Sequence, residues 1–295
     1  MIASIPSFPR FRRGRAAALC AALLLVLGAA AVRADDSESL PERSLRQIGE
    51  RQKVLLADAA KAGDSLDEES LRTQLQGLCH EYEILLQQSP DFAAAYASYG
   101  LLLRKIDMRR ESMAMLLKAN QLDPDIPLVK NELGNYLAEE GKPLEAVNYF
   151  LSAIKLDPKE PLYHYELGAL LYEARDDFIQ KGIYSRQTLE TAMHEAFKQA
   201  AELAPDRIEF TYRYAESFAD VEPPDWDGAL AYWAKLEAKT PVPLEQQTIR
   251  LQRANIRIKQ ERFDDARALI ATVTDPKLQD QKQKLVAQLP ENAKK

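Results

Sequence analysis

The sequence predicts an all-α protein built from helix-turn-helix units repeated along the chain, and three observations carry that prediction. Gly100, Gly134 and Gly168 recur at intervals of 34 residues, and Pro90, Pro124 and Pro158 recur at the same interval. Between these markers the apolar residues fall three and four apart, the spacing of one helical face. A fixed period of this length, with helical patterning inside each copy, is the signature of units that bury their apolar faces by stacking. Composition agrees: 46% hydrophobic residues in 295 exclude a disordered chain, and 11 glycines exclude a linker-dominated one.

Each marker has a physical role. A glycine inside a helix costs about 1 kcal/mol relative to alanine. That cost is offset where the missing side chain lets a second helix approach closely. Ala146 and Ala153 supply small partners on the second helix of the 127–159 unit, and Leu133, Leu137 and Phe150 fill the space between. Glu140-Gly141-Lys142-Pro143 breaks the chain so that the two helices run antiparallel, and Asp157-Pro158 ends the second.

The neighbouring 93–125 unit places Tyr96, Tyr99, Gly100, Leu103, Ser112, Leu116, Ala119 and Pro124 at the corresponding offsets. Over roughly 180 residues the chain resembles the tetratricopeptide repeat family, whose period is about 34 residues. The resemblance implies a right-handed α-solenoid of helix-turn-helix repeats with a concave and a convex face.

The remaining chain departs from the pattern in stages. A third unit keeps Leu167, Gly168 and Leu171, but Pro205 follows Pro158 by 47 residues, so thirteen extra residues are placed around Glu173–Thr188. Phe178, Ile179, Ile183 and Tyr184 make this insertion a second candidate surface, or else it lengthens the unit's two helices. A fourth unit uses Tyr214, Ala215, Phe218, Ala229 and Trp233, with two residues inserted at Pro223-Pro224. The fifth keeps Ala254, Ile258, Ala266 and Ile270, with Arg253 where a leucine is usual. The expected organisation is a leader at 1–34, a helical pair within 35–90, repeats over 91–275, and a capping helix with a tail at 276–295.

Residues 1–34 read as a secretory signal peptide. Arg10, Arg12, Arg13 and Arg15 precede an uncharged run from Ala16 to Val32, and Val32-Arg33-Ala34 supplies a small-x-small exit. An uncleaved membrane anchor is the alternative. Cleavage takes away five arginines and no acid, moving the net charge from −6 to −11. Such a chain repels nucleic acid and anionic lipid, so neither is an expected partner, and no stable membrane insertion is expected once the signal is cut. The expected location is the periplasm. Cleavage also leaves Cys79 as the only cysteine, among Leu75, Leu78 and Leu85, where an inert buried thiol is expected.

Nothing in the sequence assembles an active site. His80, His164 and His194 lack partners at metal-ligand spacing, and no nucleophile elbow, phosphate-binding loop or Cys-x-x-Cys occurs. No catalytic residue, metal or cofactor is expected. The resemblance instead directs attention to the groove lined by the first helix of each unit. Carried over position by position, that groove holds Arg104, Asn131, Asn135, Tyr165, Glu166, Tyr172, Tyr212, Arg213 and Glu216. Tyrosine and asparagine there suit a protein or extended peptide partner. A clamp for a terminal carboxylate is not expected, because Asn131 stands where that variant has a lysine, and Glu166 and Glu209 add negative charge. The reading is an exported, non-catalytic scaffold in envelope assembly or secretion. A self-associating or membrane-tethered solenoid is the second reading, and an enzyme or ligand carrier the third.

Overall fold

The computed structural model describes residues 38–290, so the leader expected at 1–34 lies outside the described residues. Fourteen α-helices and no strand are present among the described residues. The chain divides between Tyr136 and Leu137 into two compact units.

The first unit opens with α1 (Leu40–Ala62) and α2 (Glu68–Gln88), an antiparallel pair inside the stretch 35–90. Ser39 caps α1 through a reciprocal hydrogen-bond pair with Glu42, and Asp67 caps α2 by accepting from the amides of Glu69 and Ser70. The face of α2 that carries Leu75, Leu78, Tyr82 and Leu85 is buried. Tyr82 stacks on Tyr99 of α3 (Ala93–Lys105) with ring centroids 5.1 Å apart. Cys79 is buried here, and burial pushes its thiol up to about 11, which keeps it protonated and inert.

The mid-helix glycines do what their spacing implies. A Cβ on Gly100 would lie 2.9 Å from Leu116 Cγ on α4 (Arg109–Leu122), and Ser112 Oγ donates to the Gly100 carbonyl at 2.8 Å. A Cβ on Gly168 would lie 2.8 Å from the Phe197 ring. Both distances are inside van der Waals contact. Gly168→Ala is therefore expected to destabilise the protein by about 1–3 kcal/mol, read as a lowered urea midpoint. An unchanged midpoint would show that the helices can separate freely.

The turn between the two helices of a unit is a second recurring device. Asp107, Gly141 and Glu261 occupy equivalent positions and all have positive φ, at 64°, 70° and 59°. After each, an amide reaches back five residues: Met108 to Leu103 at 2.8 Å, Lys142 to Leu137 at 2.9 Å, Arg262 to Arg257 at 2.8 Å. This left-handed cap satisfies a terminal carbonyl and turns the chain back. Glycine fits it without penalty, whereas Asp107 and Glu261 hold a conformation that L-residues disfavour.

The second unit contains α6 (Pro143–Leu156), α7 (Pro161–Glu173), α8 (Arg175–Gln180), α9 (Arg186–Leu203), α10 (Ile208–Ser217), α11 (Trp226–Lys239), α12 (Pro243–Lys259), α13 (Phe263–Ala271) and α14 (Gln279–Val286). The helix α5 (Pro127–Glu139) holds the boundary between the units. The main core joins Phe150, Leu167, Leu171, Phe178, Met193 and Phe197. A second cluster forms around Trp233, Ala215 and Ile249, and a third seats Leu278 and Leu285 of the C-terminal segment against Leu251 and Ala254.

The insertion in the third unit takes a form that meets the sequence expectations only in part. It lengthens one of the two flanking helices, since α9 has 18 residues where α4 and α6 have 14, and its Phe178 is not on the surface. A separate short helix, α8, packs against α6, α7 and α9, with Phe178 wholly buried and Tyr184 against it at 5.8 Å between centroids. The left-handed cap reappears after α8: Gly182 has φ 67°, and the Ile183 amide reaches the Phe178 carbonyl at 3.2 Å.

Candidate functional site

In the second unit, α7 and α10 stand side by side, and four aromatic or charged contacts define the face they share. Tyr165 of α7 meets Phe210 of α10 with centroids 4.9 Å apart and stands edge-on to Phe197 of α9 at 5.8 Å. Two helical turns further along α7, the Arg213 guanidinium lies 4.4 Å from the Tyr172 ring and 4.2 Å from the Phe197 ring. Arg213 also pairs with Asp220 at 2.8 Å. Stacking between two rings explains how its Nη2 is buried without a hydrogen bond. Tyr172 keeps 43% of its surface exposed, the largest aromatic opening on this face.

The face continues towards α12. Tyr212 packs edge-on against the buried Trp233 at 4.9 Å, and burial, reinforced by the Glu245 charge, pushes its hydroxyl up to about 12. Burial also raises the Tyr165 hydroxyl. Glu216 keeps an exposed surface, yet the protein around it desolvates its carboxyl and holds it above the ordinary carboxylate range, with Asp220 adding to the shift and Arg213 opposing it. Of the expected groove, Tyr172 and Arg213 are thus in contact, Tyr165 meets Phe210 of α10, Tyr212 is set against Trp233 of α11, and Glu166 is half-buried on α7.

The expected groove residues of the first unit form a separate group. Arg104 pairs with Glu132 of α5 at 2.8 Å. This rung joins the same two repeat positions that Tyr172 and Arg213 join in the second unit. Asn135 is half-buried. Asn131 is corrected: it is 0% exposed, so it belongs to the interior and not to an open wall. Register carried from a family gives the direction of a side chain but not the depth of the protein around it, and an asparagine is small enough to be enclosed.

Sequence reading missed the residues that support Tyr172 from behind. Arg175, 5.4 Å from the Tyr172 ring, donates to the Asp220 carbonyl at 3.1 Å and pairs with Glu190 at 3.4 Å. Glu190, only 2% exposed, also takes Arg186 at 3.3 Å and the Glu222 amide at 2.9 Å. Arg175 and Glu222 stand where the third and fourth repeats would carry the left-handed cap. The two units that lost that turn are therefore tied to each other through one carboxylate. A sequence signal existed only in hindsight, as an Arg and a Glu flanking an insertion.

Two other polar places serve structure. His194 Nδ1 lies 2.9 Å from Ser217 Oγ, with the rings of Phe218 and Tyr214 at 4.6 and 5.1 Å, and burial holds its pKa below the ordinary value. Between α11 and α12, Arg253 fills the usual leucine position by pairing with Glu237, which also takes Arg250 at 2.6 Å. They line a shallow cleft of about 280 Å³ with Ala234, Ala238 and Gln246. Among the described residues no group of three His, Cys, Asp or Glu is placed to hold a metal ion, and no helix is long and apolar enough to cross a membrane.

Residues 129–160 match the model of the tetratricopeptide repeat. No curated protein matches the chain in sequence. Three solved structures are similar to it in fold. PilW, described as a widely conserved type IV pilus biogenesis factor, aligns with a TM-score of 0.56 at 13% identity, covering 85% of this chain and 100% of that one. The pilF protein of Pseudomonas aeruginosa gives 0.55 at 15% identity, covering 84% and 98%. YrrB, described as a tetratricopeptide protein with an unusual peptide-binding site, gives 0.54 at 16% identity, covering 69% and 97%. At such identities the likeness speaks for architecture alone. The chain therefore carries a tetratricopeptide repeat and has the all-α, repeated-hairpin fold of the tetratricopeptide solenoids.

Proposed function

We propose that this chain is a non-catalytic scaffold that holds a protein or extended peptide partner against the α7–α10–α12 face of its second unit. One observation carries the reading: Tyr172 is an exposed ring held in place by the guanidinium groups of Arg213 and Arg175 and, through them, by Asp220 and Glu190. An exposed aromatic already fixed in position loses little entropy on binding, which is what an interface anchor needs. The residues that hold Tyr172 are engaged with one another and form no nucleophile–base pair, so the same geometry favours binding over chemistry.

Tyr172→Ala is the direct test. Unlike Tyr165 and Tyr212, which pack on Phe210 and Trp233, Tyr172 can be truncated with little loss of buried core. Partner affinity is expected to fall by about tenfold or more, as for an interface aromatic, with an unchanged circular-dichroism spectrum. Unaltered affinity would remove this face from the function.

The envelope setting is a separate part of the proposal and rests on residues 1–34. Pilus biogenesis is said of PilW, and its likeness to this chain is compatible with such a setting without arguing for it. N-terminal sequencing of the native protein from an envelope fraction is expected to begin at Asp35. A chain that begins at Met1 in the cytosol would overturn export.

A further inference from the structure

The ion pairs between α11 and α12 hold those two helices together and leave part of their donor capacity unused. Arg250 Nε donates to one oxygen of Glu237 at 2.6 Å, and Arg253 Nη1 donates to the other. Two guanidinium groups thus share one carboxylate, and the cluster keeps a net positive charge. Among the described residues neither arginine has another acidic partner. Arg253 Nε is enclosed without an acceptor, so the inner side of the cluster is already short of oxygen atoms. On the outer side, the Nη atoms of Arg250 and the Nη2 atom of Arg253 make no hydrogen bond and are not enclosed.

The space in front of these donors is a property of α11. Ala234 and Ala238 are too short to fill it, and the cleft of about 280 Å³ remains between the helices. Each arginine side chain keeps 27% of its surface and Glu237 keeps 17%, so the cluster is partly dried and still reachable. A guanidinium in such surroundings bonds a carboxylate more strongly than one in free solution, and its planar fork matches the two oxygens. Glu237 is the one acid in the lining, and Gln246 has its amide nitrogen on the Thr240 carbonyl.

Size and charge select the occupant. The cleft is shallow, and a small free anion would bury too little of its surface there to be held firmly. A carboxylate carried by a larger molecule gains from the contacts around it. The net charge of −6 gives the chain no general attraction for anions, so a preference for acid has to be local. We propose that the α11–α12 cleft receives an aspartate or glutamate side chain of a protein partner, whose carboxylate bonds the open Nη atoms of Arg250 and Arg253. The contact uses no atom of Tyr172 and is independent of the α7–α10 face.

The test uses the full chain and labelled decapeptides of alternating Glu-Ala and Gln-Ala, read by fluorescence anisotropy. The glutamate peptide is expected to bind more tightly, and its affinity to fall as salt is raised. Arg250→Gln leaves Glu237 paired with Arg253 and removes the surplus charge, so affinity should fall by about tenfold. Glu237→Gln takes away the carboxylate that competes for the same donors, so affinity should rise by about threefold. A cluster that only clamps the helices would lose stability in both variants and gain affinity in neither. If Glu237→Gln does not fold, the comparison with Arg250→Gln decides alone. The control Arg72→Gln removes the same charge from an exposed position on α2 and should leave binding unchanged. Equal binding of the two peptides, equal loss in Arg250→Gln and Arg72→Gln, or weaker binding by a folded Glu237→Gln chain would overturn the proposal. So would displacement of the peptide by an equal concentration of inorganic phosphate, which would mark a small-anion site. A dimer of the chain alone that Arg250→Gln dissociates would also overturn it, by assigning the cleft to a second copy.

Discussion

Phe178→Ala is expected to destabilise the protein by about 3–5 kcal/mol, the range for truncating a buried aromatic ring. Phe178 has no exposed surface and shares a core with Phe150, Leu170, Met193 and Phe197, residues drawn from three longer helices. The six residues of α8 cannot hold a helical conformation by local hydrogen bonding alone, because nucleation is costly for so short a segment. Burial of this ring is what fixes α8, and with it the cap at Gly182 and the position of Arg175. The measurement is a chemical denaturation curve, compared with Ile183→Ala, whose side chain is 48% exposed. The second variant is expected to stay within about 0.5 kcal/mol of the parent. Similar small effects for both would mean that α8 is a loose appendage.

Glu190→Ala is expected to cost a comparable amount, about 3–5 kcal/mol, because it leaves charge without its partner in the interior. The contrast with the exposed pairs is instructive. Arg46 and Glu38 bond through two nitrogens at the start of α1, yet an exposed pair of this kind is screened by water and contributes little. Glu190 differs in being 2% exposed and in accepting from the Glu222 amide as well as from two arginines. Glu190→Gln, which keeps an acceptor for the amide and loses the charge, should fall between the parent and alanine. Thermal melting and urea titration check both. A loss under about 1 kcal/mol for Glu190→Ala would show that the insertions of the third and fourth repeats are held independently.

Where the period of 34 runs unbroken, the architecture was legible. Gly100 and Gly168 announced close helix approach, and the Leu116 and Phe197 atoms that would meet an added Cβ are the reason. Gly141 announced a turn. Its counterparts Asp107 and Glu261 did not, since a left-handed conformation is rarely inferred for residues other than glycine and asparagine. The insertions were located but their form was not foreseen. Arg175, Glu190 and the Glu222 amide meet only because of the three-dimensional fold, and they have no register to betray the contact.

The candidate site was legible in part for the same reason. Of the residues that repeat register places in the groove, Tyr165 and Tyr172 of α7 meet Phe210 and Arg213 of α10. What register does not contain is depth and partnership. Asn131 is enclosed, Arg104 is spent on Glu132, and Tyr172 is braced by Arg175 from an insertion outside the pattern.

Photo-crosslinking from position 172 tests the central claim most directly. With benzoylphenylalanine replacing Tyr172 in the full chain, ultraviolet irradiation of intact cells of the native source is expected to give a single discrete adduct, and Arg213→Ala should weaken it. The same group at Leu151, an exposed position on α6, should give none. Equal adducts from both positions, or an adduct from 151 alone, would contradict the assignment of the α7–α10 face as the place where a partner docks.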